Sequence, residues 1–134
     1  MVAVGRLKRR PDFLRVAAGR RRWVAPGLIL QALGHQVDQA AGTAMPRVGF
    51  TASAKVGGAV VRNRARRRLR AVAAAVLPEY ASAGHDYVLI ARAGTVSRPF
   101  SALIADLESG LRRLGLYREA SNAMAERPGS DDAA

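Results

Sequence analysis

The sequence predicts a single α+β domain over residues 1–117, with elements in the order α-β-β-(β)-α-β-α, and three observations point to it. Apolar residues recur at helical spacing in three segments and run as strand-like stretches between them. A length of 134 residues fits one domain. There is no cysteine, so the chain offers no disulfide framework and needs no oxidising compartment.

The first helix is expected over Arg10–Ala18, where Phe13, Val16 and Ala17 recur at helical spacing. Val24–Leu33 and Arg47–Ser53 read as strands, the first divided at Pro26, and the polar, alanine-rich connection from Gly34 to Pro46 reads as a long loop. Gly57 and Gly58 mark a turn before a second helix that Pro78 is expected to end after Leu77. Tyr87–Ala93 is apolar on both of its faces, as a central strand requires. From Pro99 onward, Phe100, Leu103, Ile104, Leu107, Leu111 and Leu114 form the stripe of a final helix, with Pro99 suited to its first turn. Residues 118–134 end in Asp131-Asp132-Ala-Ala and lack the apolar content to fold, so they are read as a disordered acidic tail.

Charge is unevenly distributed. Residues 1–70 hold 16 bases and 2 acids, whereas residues 71–134 hold 6 bases and 8 acids, so the whole excess of +12 lies in the first half. That imbalance implies a polyanionic partner. Six arginines fall within the nine residues Arg62–Arg70. At about 100° per residue, Val61, Ala65, Leu69, Val72 and Val76 share a sector roughly 80° wide, so the helix has an apolar stripe that packs on a core. Asn63, Arg66, Arg67 and Arg70 point to the opposite side, and Arg62, Arg64 and Arg68 flank the stripe. Neighbouring like charges on one helix each cost a few tenths of a kcal/mol, a cost that bound phosphates reverse.

Strand alternation defines a second surface. Val48, Phe50 and Ala52 point one way and Gly49, Thr51 and Ser53 the other. Leu28 and Leu30 share the core side, which leaves Ile29 and Gln31 on the side of Thr51. The basic half contains only two acids, Asp12 and Asp38, and the two histidines, His35 and His85, lie in expected loops without metal-ligand partners at a suitable spacing. No protein catalytic residue and no protein-held metal are therefore expected.

The segment RVGFTASAKVGGAVVRNRARRRLR, from Arg47 to Arg70, resembles the signature of the bacterial ribonuclease P protein component. Its most specific part is the Arg62-Asn63-Arg64 triplet, followed by a basic helix and preceded by a strand, Ser53, Lys55 and a glycine turn. Leu7-Lys8, Asp12-Phe13, the segment Asp86–Arg92 and the leucine-rich last helix agree, so the likeness covers about residues 6–117. The resemblance implies a small α-β sandwich whose arginine helix lies in a left-handed β-α-β crossover, against the usual hand. It also implies an accessory subunit of an endoribonuclease that removes the 5′ leader of precursor transfer RNA, in which RNA is the catalyst and holds the Mg²⁺.

By the same resemblance, Lys55, Arg62, Asn63, Arg64, Arg66, Arg67, Arg68 and Arg70 bind the catalytic RNA, a task suited to guanidinium groups that pair bidentately with phosphate. Asn63 either caps or braces the turn, or bonds directly to RNA. The leader strand would lie in a cleft lined by Phe13, Ile29, Gln31, Thr51 and Ser53, with Phe13 alternatively a core residue. The chain departs from the usual family pattern at Ala17, Gln31, Ala54 and Gly58, where relatives often carry phenylalanine, an aromatic, a base and asparagine respectively.

Two other classes are weighed against this. A ribosomal or general RNA-binding protein could use the same helix without a role in leader removal. A membrane-surface helix is disfavoured because the apolar stripe is mainly Ala and Val and offers no large anchors. The longest apolar runs fall far short of the roughly 20 residues of a membrane-spanning helix, and residues 1–22 lack an apolar signal-peptide core, so a cytoplasmic location with RNA partners and no membrane is expected.

Overall fold

The computed structural model describes residues 3–34 and 45–118. Among these, five strands, β1 (Gly5–Arg6), β2 (Arg22–Val24), β3 (Leu28–Gly34), β4 (Arg47–Thr51) and β5 (His85–Ala91), accompany three helices, α1 (Arg10–Ala18), α2 (Ala59–Tyr80) and α3 (Phe100–Arg113). The strands form one sheet in the order β1-β4-β5-β3-β2. β5 is central because it can bury both faces: it pairs parallel with β4 and antiparallel with β3, and most of its side chains are buried. Since β4 and β5 are parallel neighbours, the chain must cross over between them, and α2 is that crossover.

Register assigns the two faces. Phe50, Leu89 and Leu30 form one row, with Val48, Tyr87 and Ala32 beside them on the same face. On this face Leu69, Val72 and Val76 of α2 and Leu103, Leu107 and Leu111 of α3 build the main core. Thr51, Ile90 and Ile29 form a row on the other face, as do Gly49, Val88 and Gln31. There α1 lays Val16 on Val88 and Leu7, with Phe13, Leu33 and Ile90 around them. The sandwich is therefore asymmetric, with two helices over one face and a single short helix over the other.

The structure departs from the sequence-based expectations at several places. β1 is too short to show periodicity; it forms because Gly5 N–H donates to Pro46 O (2.8 Å) and Leu7 N–H to Val48 O (2.9 Å), extending the parallel edge of β4. Pro78 does not end α2, which runs on to Tyr80, because a proline in the last turn removes only one helical donor and Ala81 N–H still reaches Leu77 O at 3.0 Å. The last strand lies two residues earlier than expected. Arg92 N–H donates to Thr95 Oγ1 (2.8 Å), whose hydroxyl donates to Gly27 O (2.7 Å), so Ala93–Thr95 turns away from the sheet as a single 3₁₀ turn. Phe100 is 41 % exposed rather than core, being the first residue of α3 and beyond the sheet it would cover.

The division at Pro26 is present. It places Gly27 against α3, where a Cβ would approach Leu103 Cδ2 to 2.5 Å and Asp106 Oδ2 to 2.6 Å, so any larger residue must displace these side chains. The connection at 35–44 and the tail at 119–134 lie outside the described residues.

Candidate nucleic-acid interface

The buried stripe of α2 consists of Ala65, Leu69, Val72 and Val76, joined by Ala73 and Leu77, and it fixes which arginines face outward. Asn63, Arg64, Arg67 and Arg70 are exposed, whereas Arg62, Arg66 and Arg68 are half-buried. Each of the half-buried three has a partner. Arg62 Nη1 donates to Gly57 O (3.3 Å) and holds the turn that opens the helix. Arg66 Nη2 donates to Asn63 Oδ1 at 2.5 Å, so the asparagine braces a guanidinium rather than capping the helix. Arg68 donates to the carbonyls of Val96 and Arg98, the latter at 2.6 Å, and so ties α2 to the loop before α3.

That loop is itself built on charge. Arg98 makes two bonds to the buried carboxylate of Asp106 (2.6 and 3.0 Å), which also accepts Gly27 N–H at 3.0 Å, and Arg92 Nη1 reaches Ala25 O at 2.7 Å. On the other face, buried Asp86 receives Arg47 through Nε (2.9 Å) and Nη2 (2.8 Å) and also receives Arg15. The Asp86 hydrogen bond raises the Arg47 pKa above its ordinary value, against the opposing effect of burial. Arg47, Arg68 and Arg98 thus serve the fold, while Arg64, Arg67 and Arg70 stand exposed on the outer face of α2, and Lys8, Arg9, Arg10 and residues 20–22 form a second exposed basic group around α1. No separation of this kind is visible in a count of charges. Lys55 is exposed in the 3₁₀ turn Ala54–Val56, which Ser53 caps through Oγ accepting from Lys55 N–H (3.3 Å).

The second surface lies between α1 and the end of β4. Phe13 is half-buried, its ring so close to Gly49 that a Cβ there would stand 2.4 Å from Phe13 Cε1. Phe13 therefore belongs both to the small cluster beneath α1 and to the wall of an open groove of about 400 Å³. Lys8, Arg10, Phe50, Thr51, Ala52 and Arg66 line the same groove, and no acid does so among the described residues. Sequence reasoning missed Lys8 and Arg10 here, although a base directly preceding an amphipathic helix is a visible signal. Ile29 and Gln31 share the face but belong to β3, two strands from β4 and hence roughly 10 Å away, and do not line the groove. Ser53 is turned to its own cap and does not line it either. A larger cavity of about 490 Å³ lies between β1 and α2, lined by apolar residues together with Arg6 and Arg70.

Among the described residues no group of three or more His, Cys, Asp or Glu is placed to hold a metal ion, and no helix is long and apolar enough to cross a membrane. A family model described as Ribonuclease P matches residues 1–115. The ribonuclease P protein component of Paramagnetospirillum magneticum is 55% identical over 124 residues, covering 90% of each chain. That of Gluconacetobacter diazotrophicus is 50% identical over 111 residues, covering 83% of this chain and 91% of the relative. In fold, the chain is similar to the RNase P protein of Staphylococcus aureus (TM-score 0.66, 20% identity, 84% of this chain and 97% of that one). The RNase P protein of Thermotoga maritima is similar as well (TM-score 0.62, 22% identity, 81% and 94%).

Proposed function

The chain belongs to the ribonuclease P protein family, the protein component of a ribonuclease, and from that premise we propose that it binds the catalytic RNA through α2 and the 5′ leader of precursor transfer RNA over the face of β4. The observation that carries this reading is the division of the arginines: Arg64, Arg67 and Arg70 stand exposed on a helix whose opposite stripe is anchored in the core. A row of guanidinium groups on a rigid helix matches successive phosphates, and each pairing relieves the mutual repulsion of the row. Lys55 extends the same positive surface toward the glycine turn.

The protein's part is positioning. Among the described residues two carboxylates are buried, Asp86 and Asp106, and each is held by arginine, so neither is disposed to carry the Mg²⁺ that the family's chemistry implies. We assign that metal, and the hydrolytic step, to the RNA. The chain's own residues supply cationic contacts that lower the electrostatic cost of bringing two RNAs together, and a groove beside Phe13 and Thr51 where a single strand fits. The reading places the complex in the cytoplasm.

Reconstitution with the ribonuclease P RNA tests it. Leader removal at low Mg²⁺ should rise strongly when the protein is added, and the protein alone should leave precursor intact. Cleavage by RNA-free protein that EDTA abolishes contradicts the division of labour. Binding to many RNAs without faster leader removal favours a general RNA-binding protein instead.

A further inference from the structure

We infer that Arg66 belongs to the leader strand rather than to the catalytic RNA, as a phosphate ligand on the rim of the α1–β4 groove, and that Asn63 is its positioning residue. The inference rests on the proposed function and assigns a residue within it. On the helical wheel Arg66 stands on the same side of α2 as Arg62, and the fold turns that side toward β4 and α1. Its side chain lines the groove with Phe13 and Thr51, while Lys8 and Arg10 line it from the start of α1. The groove is thus rimmed by cations from two elements, with no acid among its described lining residues.

Chemistry selects the ligand. A volume of about 400 Å³ falls at the low end for sites that hold small organic groups, roughly 300 to 1,000 Å³, so one nucleotide unit enters and a duplex does not. The two cationic rims suit successive phosphates of an extended strand. A ring at Phe13 and the Thr51 side chain offer stacking and a hydroxyl between them. Arg66 is oriented for this before any ligand arrives, because Asn63 Oδ1 accepts one Nη2 proton at 2.5 Å one helical turn away. The rest of the guanidinium fork keeps its donors for phosphate.

The test compares precursor and mature transfer RNA binding to the holoenzyme assembled with its RNA. Arg66→Ala should reduce the preference for precursor by roughly five- to tenfold, the effect of one partly solvated hydrogen bond. Its affinity for the catalytic RNA alone should stay within about twofold, while Arg67→Ala should lower that affinity and leave the preference intact. Asn63→Ala should produce a smaller loss of preference that vanishes in the Arg66→Ala background, the non-additivity expected if Asn63 acts only through Arg66. Arg66 is half-exposed on the outer surface of α2, and an unchanged thermal midpoint shows that the variants fold. Equal weakening of precursor and mature RNA, or additive effects of the two substitutions, overturns the assignment. If the wild-type holoenzyme itself shows no preference for precursor, the proposed function fails, which is distinct from a wild-type preference that Arg66→Ala preserves.

Discussion

At the scale of single residues, arginines of the same helix do different work, and partners rather than sequence spacing separate them. Arg68 lies 20° outside the apolar sector and reaches two backbone carbonyls, whereas Arg64, on the same flank but 60° out, is exposed. The sequence makes the flank legible but not the carbonyls, because Val96 and Arg98 come to Arg68 only through the tertiary fold. Arg68→Ala should therefore lower stability by about 1 to 3 kcal/mol in a denaturant titration by leaving two partly buried acceptors without a donor. Arg64→Ala should leave the midpoint unchanged. Tyr87 gives a pH signature of its own: burial raises its phenol above the ordinary value of about 10, with the hydroxyl donating to Ser82 O at 2.8 Å. The folded state holds this proton where the unfolded chain loses it, so the contribution is whole below about pH 10 and shrinks as pH rises above it. Unfolding free energy measured from pH 8 to 11 should fall more steeply for the wild type than for Tyr87→Phe.

At the scale of elements, the helices and the central strand were legible because their apolar stripes are long, and α1 has the bounds that its spacing predicts. Two-residue β1 and the 3₁₀ turn at Ala93–Thr95 were not, since each depends on hydrogen bonds to distant parts of the chain. The start of α2 carries a testable local weakness. Gly58 is its N-cap in an extended conformation, without a side-chain cap, and a Cβ there meets nothing within 4 Å. Gly58→Asn, the residue that relatives often carry, should stabilise the protein by a few tenths of a kcal/mol by capping a free N–H, read as a higher thermal midpoint. Gly49→Ala should do the reverse. A Cβ 2.4 Å from Phe13 Cε1 must displace the ring and α1 with it, at a cost of about 1 to 3 kcal/mol and with a loss of preference for precursor over mature transfer RNA.

At the scale of the whole molecule, an asymmetric sandwich separates two tasks. The heavily covered face of the sheet anchors α2 as a rigid rod of charge, and the lightly covered face leaves the groove beside Phe13 open. Composition revealed the +12 excess and its bias to the first half, but not that Arg15, Arg47 and Arg98 are held by the two buried aspartates. The exposed row on α2, Arg64, Arg67 and Arg70, is among the cations left to meet RNA. Its role is tested most directly by the salt dependence of affinity for the ribonuclease P RNA, compared between the wild type and an Arg64→Ala, Arg67→Ala double variant. Each lost phosphate contact should make the log-log slope shallower by roughly 0.7 to 0.9, so the double variant should lose about 1.4 to 1.8, at an unchanged thermal midpoint. A double variant with the wild-type slope and affinity would show that α2 is not the RNA-binding face.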